Sequence, residues 1–176
     1  CMNHNIYLTE KRMLHLEGFY LLTGCLLFLY MLSSQSEMQH AYFDLSNGHS
    51  PDSVTFLPFW IVLGTLGLSI YLCYELFLIA ENGIISPRIT RYLTLPIRCR
   101  DYHRMKARIF FRKLGLLILI LVIMFHLSFL GYKLPLSLWK HSLPELILTC
   151  CFLFAAGALI FIGYLLCDLL CLKHRH

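Results

Sequence analysis

Two carboxylates and an imidazole are the residues whose placement could do chemistry. Glu75 and Asp168 each follow directly on a long uncharged run, and His126 lies inside one. An ionised group in such a place is costly, so it calls for a partner or a use. The two acids end the same short pattern. Gly64, Tyr71 and Glu75 recur 93 residues later as Gly157, Tyr164 and Asp168. Positions i, i+7 and i+11 share one face of a helix, so each trio forms a stripe. In one reading the glycines let helices approach closely while the tyrosines and acids bond across the contact. In the other, Glu75 and Asp168 converge as a cation or proton site.

Depth favours the packing reading. Glu75 is expected about five residues, or roughly 7 Å, from the end of its helix. There the penalty falls well below the ~2.5 to 3.5 kcal/mol of a charge at midplane. Glu17 should sit at the same level, with Arg112 and Lys113 supplying counter-charge to all three acids in an ion-pair belt. His126 is the ionisable group deep in a span, read as a neutral imidazole donating to a carbonyl or hydroxyl of a neighbouring helix, with a ligand or proton-relay role as the alternative. No second histidine lies within helical reach of it, and the nine histidines make no metal-ligand spacing. Neither a metal nor a cofactor is expected.

The elements that carry these residues are legible from charge alone. Windows 18–36, 53–74, 114–132 and 146–167 hold no charged residue. Each is long enough to cross the ~30 Å hydrocarbon core as a helix. Placing alternate connections together puts thirteen Lys and Arg on one side and two on the other. The positive-inside rule then places both termini in the cytosol or its equivalent. The expected plan is a tail (1–14), a first hairpin (15–80), a basic cytosolic loop (81–106), a second hairpin (107–171) and a tail (172–176). Lys11 and Arg12 flank the first run as in a signal peptide, but no clear small-x-small site follows, so it is read as a retained span. The recurring stripe predicts two tandem hairpins related by an axis along the membrane normal.

Composition agrees with an all-α membrane protein: 58% of residues are hydrophobic and 14% charged, with a mean hydropathy of +0.66. The net charge of +5 comes mainly from one loop, which fits anionic headgroups or an acidic partner and not nucleic acid. None of the eight cysteines falls in the outward stretches 34–54 and 133–143, so no external disulfide framework is expected.

In the basic loop, Pro87 and Pro96 flank a stretch read as turn and extended chain. Beyond it, Tyr102, Met105 and Ile109 recur at helical spacing among basic residues. This predicts a short basic amphipathic helix on the membrane surface, with Arg98, Arg100, Arg104, Lys106 and Arg108 meeting lipid headgroups. Cys99, Cys167 and Cys171 lie near the same interface as candidates for S-palmitoylation. Arg98 and His103 share the Arg-x4-His spacing of HEPN ribonucleases, a family that needs a soluble helical bundle. Phosphate-binding, metalloprotease and nucleophile-elbow motifs are missing, which argues against an enzyme.

The second span opens Thr55-Phe56-Leu57-Pro58-Phe59-Trp60-Ile61. This resembles the fragile-X-F-associated family of multispanning membrane proteins, whose hairpins begin a span with a Phe-Ile/Leu-Pro-Leu-Trp motif. The resemblance implies paired hairpins joined by a basic cytosolic loop, and no catalytic residues. The fourth span departs from it with Ser142-Leu143-Pro144-Glu145. The expected function is an accessory or scaffold subunit of a larger membrane complex, binding other subunits or itself. The alternative is a small channel or transporter using Glu75 and Asp168.

Overall fold

Four long helices follow the four uncharged windows. The computed structural model describes residues 16–49, 54–81, 84–89 and 99–173. Helix α1 is Glu17–Ser46, α2 is Phe59–Phe77, α3 is Cys99–Gly131 and α4 is Leu136–Lys173. Strands β1 (Leu78–Glu81) and β2 (Ile84–Pro87) form an antiparallel hairpin between α2 and α3. All four helices are long and apolar enough to cross a bilayer. Large side chains such as Leu21, Phe28, Leu127 and Leu148 stay exposed along their outer faces, a surface suited to lipid and not to water. The chain is an all-α, multi-pass membrane protein.

Side-chain contacts fix the helix directions. Leu26 meets Gly64 and Gly18 meets Tyr71, so α1 and α2 are antiparallel. Leu114 meets Gly157 and His103 meets Asp168, which makes α3 and α4 antiparallel as well. Tyr20 lies beside Lys113, while Tyr30 and Phe125 both flank Phe56, so α1 and α3 run parallel. The start of α1 and the end of α4 therefore share one end of the bundle, called here the terminal end; the other is the distal end.

Helices α1 and α4 each pack on α2 and α3, and α2 touches α3 across the middle. A two-fold axis along the membrane normal would set each helix diagonally opposite its counterpart. Here α1 neighbours α3 and α2 neighbours α4. The second hairpin is thus displaced sideways from the first, which corrects the expected rotation.

Three further expectations change. The outward stretches are largely helical: α1 runs on to Ser46, and α4 already starts at Leu136. At ~1.5 Å per residue these helices are about 45 and 57 Å long, well beyond the ~30 Å core. The basic amphipathic segment is no separate element, because α3 is continuous from Cys99 to Gly131. Its apolar face, with Tyr102 and Ile109 buried, turns into the bundle and not onto the membrane surface.

The second span, finally, becomes helical only at Phe59, leaving residues 54–58 irregular. Val54 and Phe56 are buried there, and buried backbone groups need partners. The hydroxyl of Ser142 accepts from Val54 N–H at 3.1 Å, and Glu145 Oε1 accepts from Phe56 N–H at 3.2 Å. Tyr30 donates its hydroxyl to Phe56 C=O at 3.0 Å. The Phe56 ring fills the distal core, edge-on to Phe125 at 5.2 Å. Near the terminal end, Phe161 packs against Phe77 at 5.4 Å and Phe110 at 5.1 Å.

Candidate functional site at the terminal end

Asp168 is 4% exposed, a carboxylate placed in the packing of α3 and α4. Its Oδ2 accepts from Nε2 of His103 at 3.1 Å, while its buried Oδ1 has no hydrogen-bond partner. His103 and Lys106 are three residues apart, so α3 presents both to the interior. Lys106 has no exposed surface at all. Its ammonium donates to Leu76 C=O, in the last turn of α2, where free carbonyls and the helix dipole favour a cation. The Nζ also lies 4.1 Å from the centroid of the Tyr102 ring and 4.9 Å from that of Phe77. Aromatic faces and a helix C-terminus replace the water that a buried ammonium loses.

This overturns the headgroup role expected of Lys106. Arg100, Arg104 and Arg108 are exposed on the other side of α3, free to meet headgroups, and Arg98 lies outside the described residues. The ion-pair belt is corrected too. Among the described residues neither Arg112 nor Lys113 pairs with an acid; Lys113 donates to the Tyr20 hydroxyl and sits over its ring. Glu17 is exposed in the first turn of α1, where the dipole suits a carboxylate.

The repeated stripes hold at their glycines and diverge after them. A Cβ on Gly64 would lie 2.5 Å from Leu26 Cδ1, and one on Gly157 2.5 Å from Leu114 Cδ2. Each hairpin therefore closes by seating a leucine of its first helix on a glycine of its second. Tyr71 then points its hydroxyl at Gly18 of α1, with Glu75 one turn further along the same face. Tyr164 instead stacks on Phe77 of α2, with centroids 6.0 Å apart. Asp168 meets His103, a neighbour that Glu75 does not share among the described hydrogen bonds.

His126 bonds through Nδ1 to Val122 C=O at 2.7 Å, within its own helix and not across to another, and meets Trp139 edge-on. Cys99, Cys167 and Cys171 are exposed. Among the described residues no three His, Cys, Asp or Glu come together as a metal site. His103, Tyr30, Ser142 and Glu145 were not singled out from the sequence for the roles they take. Their partners lie 26 to 89 residues away, and local spacing carries no trace of them.

Beside Asp168 a groove of about 550 Å³ opens between α2 and α4, over the β-hairpin. Ile70, Phe77, Leu78, Pro87 and Gly163 are among the residues that wall it. No family model, curated protein or solved structure matches this chain.

Proposed function

We propose that the chain is an accessory or scaffold subunit of a larger membrane protein complex, with both termini in the cytosol. The supporting observation is how its interior polar groups are used. Asp168 holds His103, Lys106 caps α2, and Ser142 and Glu145 hold the start of the second span. Each of these ties one element to another, and together they make no reactive cluster. Exposed Gly24 and Gly67, where a Cβ would meet nothing within 4 Å, leave thin places at which a foreign helix can approach closely. The exposed arginines of α3 would face anionic headgroups of the cytosolic leaflet. The likeness to the fragile-X-F-associated family adds a proposed kinship of hairpin layout and no residue role.

Extraction in mild detergent followed by native mass measurement tests the proposal. The expected result is a stoichiometric complex with another membrane protein or with further copies of this chain. A stable, partnerless monomer would overturn it. A transporter would instead lose flux on reconstitution when Glu75→Gln is combined with Asp168→Asn, whereas a scaffold would lose only assembly strength.

A further inference from the structure

We infer that the groove between α2 and α4 binds one amine-headed phospholipid, of the ethanolamine or serine class, from the leaflet on the side of the termini. Its acyl chain would lie along the apolar wall, with its ammonium donating to Oδ1 of Asp168 once that side chain, whose oxygen is covered in the lipid-free bundle, turns toward the groove. Three observations meet there. Along α4 the groove runs from Leu159 to Cys171, about 18 Å at ~1.5 Å per residue. That is close to the depth of one leaflet, half of the ~30 Å core. Its lining is almost wholly apolar apart from Asp168, which stands toward the terminal end, where a headgroup lies. Asp168 also keeps a buried oxygen with no partner, although its other oxygen is taken by His103.

An ionised carboxylate accepts and cannot donate, so that oxygen wants an N–H or O–H, and in a poorly hydrated site it favours a cation. A primary ammonium supplies both. The quaternary ammonium of a choline lipid has charge but no N–H, which makes it the natural comparison. Gly163 opens the wall: it lines the groove, and a Cβ there would touch nothing within 4 Å.

The site is independent of whether a partner protein binds. The full chain, delipidated in detergent and offered dioleoyl phosphatidylethanolamine or dioleoyl phosphatidylcholine, is read by native mass spectrometry. The expected result is a one-to-one adduct favouring the ethanolamine lipid by roughly tenfold, the scale of a charge-assisted hydrogen bond. Asp168→Asn should abolish that preference, and Gly163→Leu should remove both adducts by filling the groove without touching the bundle. Equal retention of the two lipids by the unaltered chain would overturn the inference, as would an unchanged adduct in Gly163→Leu. A covalent acyl group on Cys167 or Cys171, released by hydroxylamine, would also overturn it by showing the groove to be filled by the protein's own modification.

Discussion

A lysine with no exposed surface must be compensated from every side, and Lys106 is held by a helix C-terminus and two aromatic faces. Lys106→Met keeps the stem and removes the charge, leaving the last turn of α2 without its donor. The expected loss is about 2 kcal/mol, the worth of a hydrogen bond to a charged group, measured by denaturant titration in detergent. Glycines give a sharper comparison. Gly64→Ala and Gly157→Ala would each drive a methyl into a leucine, with an expected cost of roughly 1 to 3 kcal/mol for overpacking. Gly67→Ala meets open space and should be neutral or gain up to ~1 kcal/mol from helix propensity. Thermal melts of the three variants check the order, which would fail if all three behaved alike.

At the scale of elements, the informative piece is the one that is not a helix. Residues 54–58 carry backbone N–H groups into the distal packing, and two of those are met by Ser142 and Glu145 of α4. Pro144 lies between them inside the helix, where its missing N–H frees the carbonyl one turn earlier. Ser142→Ala with Glu145→Leu, which removes both acceptors, should therefore loosen the start of the second span before anything else. The expected signature is faster hydrogen exchange at the amides of Val54 and Phe56, with helix α3 unaffected. Tyr30→Phe removes the bond to Phe56 C=O and should cost about 1 kcal/mol. The sequence Ser142-Leu143-Pro144-Glu145, a departure from the aromatic motif when read as sequence, has this clamp as its structural role.

Across the whole molecule, the two hairpins sit side by side, like helix beside like helix. Each closes on its own leucine and glycine, and the contacts of α1 with α3 and α2 with α4 join the two. Chains cut between residues 89 and 99 and expressed together should reassemble and copurify. Variants at Phe77 or Phe161, whose rings meet between the halves, should weaken that reassembly more than variants at Leu26 or Leu114. Recovery of the halves as separate species would contradict this division.

The spans were legible in the sequence because lipid excludes charge, and a run of about twenty uncharged residues needs no tertiary partner to declare itself. The glycine stripes could be read for the same local reason, since helical spacing alone puts Gly64 with Tyr71 and Gly157 with Tyr164 on one face. Which groups those faces met was decided only in three dimensions. Asp168 could have answered Arg112, Lys113 or Glu75, all expected near its level, and the register between α3 and α4 delivered it to His103. Lys106 looked like its basic neighbours until the end of α2 was brought against it. Charge and hydropathy act through the solvent and are carried by the chain itself, whereas a buried pair depends on the register between helices, which packing sets.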